Sequence, residues 1–369
     1  MTHTQNRPAC FLCTTPLQVL GAIDLVQGLE LDADIILFDD FADYVLVGER
    51  LKQAGYFANV YVVDFYRSLS THNRFLVRLI LFFRMVFGEC YLRKYLTRDI
   101  CYDKLFTSSS AVSKMVIVNA LSRRNRRMTV SMYDDGIGSY SGNKRTRTGS
   151  RLFQRAKSIL HWHNPVDHAE ELYLYQPELA RDSGQTILKM PALPLDETNR
   201  TRLDSVFCTG DPEELRIKQR VILFDTFRKN IIPEVEKLDQ IYENISEICG
   251  KDNVLLKDHP RSILKSSVRV DKFPNKALPF EIVYLHQENP EDKILVALNS
   301  TAVFTPKMIF KSNPRIMLIY RLVSDDPEIR AKRDALYLNM IKIYGDTDRI
   351  SIPETVDEMR IVLKNWLRA

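Results

Sequence analysis

A chain of 369 residues with 45% hydrophobic and 27% charged side chains, but only 13 Gly and 16 Pro, has the make-up of a folded protein with two or more domains. Collagen-like, low-complexity and largely disordered structures are excluded. The formal net charge of +5 is too small for a general polyanion binder, so any basic character that matters is local.

Taken in chain order, the first apolar run, Ala9–Thr14, reads as a buried strand. It carries a C-x-x-C, Cys10 and Cys13, yet residues three apart on a strand face opposite sides, so two buried thiols are expected there. The six cysteines are scattered along the whole length, the pattern of reduced thiols in a reducing compartment. Thr14, Thr15, Pro16 and Gln18 interrupt the N-terminal apolar stretch, and no run reaches the ~18 apolar residues of a membrane span. A cytoplasmic protein is expected.

Asp34–Phe38, Asn59–Val63, Lys104–Thr107 and Met128–Met132 are the next predicted strands, separated by helix-like segments. That alternation predicts parallel βαβ units and a doubly wound sheet. From Asn164 to Asp204 the pattern decays around Pro165, Pro177, Pro191 and Pro194, which predicts a connector. A second series follows: Arg220–Phe224, Asn253–Leu256, Lys293–Leu298, Arg315–Tyr320 and Arg349–Ile352, closed by a helix over Glu354–Leu367. The expected architecture is α/β, with Rossmann-like lobes over residues 1–200 and 201–369 and a ligand cleft outside the carboxyl ends of the strands.

One segment departs from the soluble pattern. Phe75–Phe87 is very apolar but carries Arg78 and Arg84, so it reads either as a buried helix with arginines at its edges or as a surface helix resting on a bilayer or partner. Nearby in sequence, Arg123, Arg124, Arg126, Arg127, Lys144, Arg145, Arg147, Arg151, Arg155 and Lys157 stand against Asp134 and Asp135 alone. The excess favours an anionic acceptor or membrane, with a solvated basic face as the alternative.

Three constellations carry chemistry, each at a predicted strand end. Tyr133-Asp134-Asp135-Gly136 places paired acids on a turn that lets a ligand approach the backbone, although Asp-Asp-Gly is also a good turn by itself. In Lys257-Asp258-His259-Pro260, the proline holds the histidine extended at the strand end, with Lys257 close by. Asn299-Ser300-Thr301 sets two hydroxyls at an expected helix start, suited to phosphate, although N-capping explains one of them. Together, an acid to deprotonate a hydroxyl and a histidine with a phosphate site to stabilise a leaving group are what nucleotide-sugar transfer needs. Metal readings are weak. His161, His163 and His168 lack a completing ligand, and Asp32-Ala33-Asp34 precedes its strand.

These motifs, in this order, resemble those of bacterial sialyltransferases, and most of all glycosyltransferase family 52, the lipooligosaccharide sialyltransferases. Phe11-Leu12-Cys13-Thr14-Thr15-Pro16-Leu17-Gln18 is similar to that family's first strand and turn. The resemblance implies a GT-B-like fold, CMP-sialic acid as donor to a galactose-terminated lipooligosaccharide or capsule glycan, inversion, no metal or other cofactor, and a homodimer. By position it implies that His259 contacts the CMP phosphate, that Ser300 and Thr301 bind it, and that Glu281 holds the nucleoside; Lys257 and Pro260 complete the donor site. The base is Asp134 or Asp135, with Asp225 in Leu223-Phe224-Asp225-Thr226 as a rival, where the family's usual Gly is absent. Another donor on the same fold, such as a UDP-hexose or CMP-Kdo, and a non-enzymatic binder of anionic lipid or polysaccharide are the alternatives. Nucleic acid is not an expected partner, since no recognised motif accompanies the basic run.

Overall fold

The computed structural model describes residues 6–69, 74–97, 100–109, 111–140, 164–181, 184–192, 196–208, 210–228, 233–324, 326–342, 345 and 347–369. The chain divides into two compact units, Met1–Pro194 and Leu195–Ala369. Lys144, Arg145, Arg147, Arg151, Arg155 and Lys157 of the basic run, and His161-Trp162-His163, lie outside the described residues.

In the first unit the described strands are β1 (Asn6–Cys13), β2 (Ala33–Phe38), β3 (Asn59–Val63), β4 (Cys101–Thr107), β5 (Thr129–Tyr133), β6 (Glu171–Leu174) and β7 (Thr186–Lys189). All pair in parallel, in the order β3-β2-β1-β4-β5-β6-β7. The central strands are buried on both faces, which is why they read as unbroken apolar runs. Phe11 of β1 stacks on Phe106 of β4 with ring centroids 4.5 Å apart, a contact that adds about 1 kcal/mol to the area it buries. Cys10 and Cys13 are fully buried free thiols, as expected.

The predicted connector is partly sheet. Glu171–Leu174 and Thr186–Lys189 add β6 and β7 to the edge. β7 is half-exposed and only four residues long, so it never builds the apolar run that marks a central strand. The second unit begins before the helix Glu197–Phe207.

That unit holds β8 (Val221–Phe224), β9 (Val254–Lys257), β10 (Asp271–Lys272), β11 (Ile294–Ala297), β12 (Arg315–Leu318) and β13 (Ile350–Ser351), again all parallel, in the order β10-β9-β8-β11-β12-β13. The closing helix Val356–Arg368 is capped by Thr355, whose side chain accepts from the Glu358 N–H. β8, β9 and β11 are in register at their carboxyl ends, with Phe224 opposite both Lys257 and Ala297.

The helix Arg74–Val86 is not buried as a whole. Leu81 and Met85 pack on the core, but Leu76, Leu79, Phe82 and Phe83, with Phe87 just beyond, are 40–55% exposed along its outer face. Arg84 turns inward, donating to the Phe65 carbonyl at 2.6 Å and lying over the Tyr91 ring. Among the described residues no helix is long and apolar enough to cross a membrane.

Candidate active site

In the first unit the site residues gather where β1, β4 and β5 end. Thr15 caps the helix Pro16–Gly28, accepting from the Gln18 N–H, and this brings the Gln18 side chain back over the strand ends. Gln18 Oε1 accepts from the Thr14 N–H at 2.7 Å and from the Lys114 ammonium at 2.9 Å, while its amide nitrogen donates to Asp135 at 2.8 Å. Lys114 is fully buried, and burial pushes its pKa down to about 8, opposed first by the charge of Asp135.

The two acids of the pair have different surroundings. Asp134 is 3% exposed, and its carboxyl accepts from the Gly136 and Tyr175 N–H groups and from the Tyr140 hydroxyl. Burial raises its pKa to about 7 against those hydrogen bonds. Gly136 follows at φ 98°, a conformation that favours glycine, so Asp134 is the carboxyl that shapes the turn. Asp135 is only half-buried, and its own N–H donates to Ser139. It is the more exposed carboxylate of the pair.

In the second unit the predicted residues cluster at the carboxyl ends of β8, β9 and β11. The Asp225 N–H donates to the Lys257 carbonyl, the Thr226 hydroxyl donates to Asn299, and the Phe227 ring lies 5.8 Å from His259. His259 Nδ1 accepts from the Arg261 N–H at 3.2 Å, an acceptor role that places the ring proton on Nε2. Burial, then the charges of Arg261 and Lys257, lower its pKa to about 4. The ring is therefore a neutral N–H donor near pH 7.

Lys257 is 6% exposed, and its ammonium has no hydrogen-bond partner among the described residues. It lies over the Phe273 ring, and burial lowers its pKa to about 8, with Glu281 the first opposing charge. Glu281, at the start of the helix Phe280–Leu285, is buried and its pKa is raised by that burial. A buried ammonium without a partner costs several kcal/mol, which a bound anion would offset.

Ser300 and Thr301 are half-exposed. The expected helix there is a 3-10 turn, Thr301–Val303, followed by the short helix Thr305–Phe310, so the dipole contribution is smaller than a long helix would give. Ser300 uses its hydroxyl to accept from the Ala302 N–H.

Asp225 is engaged elsewhere. Arg228, 1% exposed, grips both of its oxygens at 2.7–2.8 Å and donates onward to Asp239. Asp239 accepts from Ser266 and Ser267, and Ser262 accepts from the Arg228 N–H, so this pair braces the loop after His259-Pro260. Asp34, of the D-x-D, is buried under Tyr102 and Asn59. Nothing in the sequence marks Lys114 or Arg228 as site residues, and Gln18 stands in it only as the end of the first strand-and-turn motif. Only the Thr-Pro helix start preceding Gln18 offered a signal. A cavity of about 660 Å³, lined by Arg216, Arg220, Asp292 and Lys293 among others, lies at the opposite, amino-terminal edge of the second sheet and is not part of this cluster.

Two parallel α/β units with polar side chains gathered at strand carboxyl ends define a GT-B-like fold. The fold is similar to that of Arabidopsis thaliana UGT89C1 complexed with UDP-L-rhamnose, at TM-score 0.50 and 11% identity over 98% of this chain and 90% of that one. It is also similar to S. aureus MnaA with UDP (TM-score 0.47, 12% identity, 98% and 97% covered) and to CalG4, the calicheamicin glycosyltransferase (0.43, 10%, 99% and 91%). At these identities the likeness concerns the fold alone. No curated protein matches the chain. The family model for alpha-2,8-polysialyltransferase matches residues 11–318, and the chain belongs to that family. It is a glycosyltransferase of sialyltransferase type.

Proposed function

We propose that the protein is an inverting sialyltransferase, needing no metal for the transfer, that moves sialic acid from CMP-sialic acid to a sialic-acid-terminated surface glycan. The observation that carries the donor assignment is the buried Lys257 ammonium, which has no hydrogen-bond partner among the described residues, beside a neutral His259 whose Nε2 bears the proton. In this reading Lys257 supplies charge to the donor phosphate, His259 donates to the departing phosphate oxygen, and Ser300 and Thr301 add hydroxyl donors. Glu281 holds the nucleoside, and Pro260 keeps His259 extended at the end of β9. Asp135 deprotonates the acceptor hydroxyl, which attacks the anomeric carbon as CMP leaves from the other face. Asp134 and Asp225 are positioning residues. The family name favours sialic acid at the acceptor terminus; the motif resemblance to family 52 favours galactose.

The reading also includes a homodimer and peripheral contact with the inner face of the cell membrane. The exposed Leu76, Leu79, Phe82, Phe83 and Phe87 contribute roughly 1 kcal/mol each on entering a bilayer, too little for stable anchoring without anionic lipid. Exposed Arg93, Lys94 and Arg123 supply the complementary charge, and Arg123 donates to the Val86 carbonyl at the end of that helix.

The test is product mass spectrometry with CMP-sialic acid, UDP-hexose or CMP-Kdo as donor, and sialic-acid- or galactose-terminated acceptors, free or on neutral or anionic vesicles. The expected result is sialyl transfer from CMP-sialic acid alone, unaffected by EDTA, preferring the sialylated acceptor and enhanced on anionic vesicles in a salt-sensitive way. Transfer from a UDP-sugar overturns the donor assignment. Vesicle independence overturns the membrane contact.

A further inference from the structure

In the second unit, three side chains that the transfer chemistry does not use converge on one point. Asp204 and Cys208 lie one turn apart at the end of the helix Glu197–Phe207, and His286 caps the end of the helix Phe280–Leu285. One oxygen, Asp204 Oδ1, meets both His286 Nε2 at 2.7 Å and Cys208 Sγ at 3.3 Å. The three ligand atoms lie within 4.8 Å of one another. The His286 and Asp204 side chains are only 9% and 15% exposed.

We propose that Asp204, Cys208 and His286 form a zinc site. A tetrahedral Zn²⁺ with bonds of ~2.0–2.3 Å separates its ligand atoms by roughly 3.2–3.8 Å, a spacing these side chains reach by small rotations. The donor set selects the metal. Thiolate and imidazole suit a borderline-soft cation, whereas Ca²⁺ and Mg²⁺ require oxygen ligands. Charge closes as well: a thiolate, a carboxylate and a neutral imidazole around a divalent ion give a neutral site, appropriate to a half-buried position. With three protein ligands the fourth position goes to water, so the ion is exchangeable by chelators. On binding, Cys208 gives up its thiol proton and His286 coordinates through the Nε2 lone pair with its proton on Nδ1, so uptake strengthens as pH rises.

The consequence is mechanical. The ion ties the first described helix of the second unit to the far end of the helix that begins with Phe280-Glu281. Metal occupancy then stabilises the scaffold of the proposed nucleoside site without entering the reaction, and transfer by the folded enzyme stays insensitive to EDTA.

The test uses the full chain, reduced and stripped of metal. Titration with Co²⁺ is expected to saturate at one ion per chain with a thiolate-to-metal charge-transfer band in the near ultraviolet, and Zn²⁺ is expected to displace it and raise Tm. Cys208→Ser is expected to abolish the band and weaken Zn²⁺ affinity at least about 10²-fold; His286→Gln is expected to weaken it similarly while keeping the band, which guards against a fold defect in either variant. Cys90→Ser, removing an exposed thiol, is expected to leave both unchanged. A band that survives Cys208→Ser, Zn²⁺ affinity unaffected by either ligand variant, or no stoichiometric binding overturns the site. Loss of zinc binding leaves the sialyltransferase assignment standing, because that assignment is read from product masses.

Discussion

Asp135→Asn is expected to lower turnover about 10²–10⁴-fold, the range a general base contributes, with KM for CMP-sialic acid and Tm close to wild type. The expectation follows from the difference between the two acids. Asp135 is half-buried and meets the Gln18 amide, whose hydrogen bond an asparagine oxygen still accepts. Asp134 is committed to two backbone N–H groups and a tyrosine hydroxyl, so Asp134→Asn is expected to act mainly on stability, by roughly 1–3 kcal/mol. Asp225→Asn leaves the buried Arg228 guanidinium partly uncompensated, and breaking such a pair costs about 3–5 kcal/mol. Steady-state kinetics beside thermal melts separates the three. A near-wild-type rate for Asp135→Asn, or a specific rate loss in a stable Asp225→Asn, moves the base to another residue.

His259→Ala is expected to cost on the order of 10²-fold or more in turnover, because it removes a neutral donor placed at the leaving phosphate. The pH dependence gives a second handle. The folded pKa, about 4, lies below the ordinary value of 6.5, so the folded chain binds fewer protons than the unfolded chain between these values. Stability from this group is present above pH 6.5 and is lost as pH falls toward 4. His259→Gln should flatten that part of the Tm profile. Binding reverses the bias, since a donor phosphate beside the ring favours the imidazolium. Affinity for CMP-sialic acid, whose phosphodiester keeps its charge across this range, is expected to tighten as pH falls toward 4, with proton uptake visible calorimetrically. Equal affinity at both ends of the range, unchanged in His259→Gln, contradicts the assigned contact.

Much of this architecture is legible in the sequence because parallel strands buried on both faces leave unbroken apolar runs. Asn59–Val63 is reproduced residue for residue, and Val221–Phe224 and Ile294–Ala297 lie inside their predicted runs. β7 escapes because an edge strand of four residues among prolines lacks that signal, and β6, although paired on both sides, is itself only four residues long. The motif residues stand out because Gly136 and Pro260 mark abrupt strand ends. Their division of labour does not, since two adjacent aspartates differ only in what tertiary structure brings to them. Lys114 reads as an ordinary helical lysine, and only folding shows it buried against Gln18. Arg228 is equally silent, although it decides what Asp225 can do. In Phe75–Phe87 the arginines mislead, since Arg84 turns inward onto the Phe65 carbonyl while apolar side chains stay outside.

Hydrogen exchange of the full chain with and without saturating CMP reads the proposed donor site itself. CMP, more than UMP or UDP, is expected to slow exchange over Lys257–Arg261, around Glu281 and over Asn299–Val303. Protection confined to the cavity around Arg216, Arg220 and Lys293, or the absence of any CMP-dependent change at β9 and β11, would contradict it.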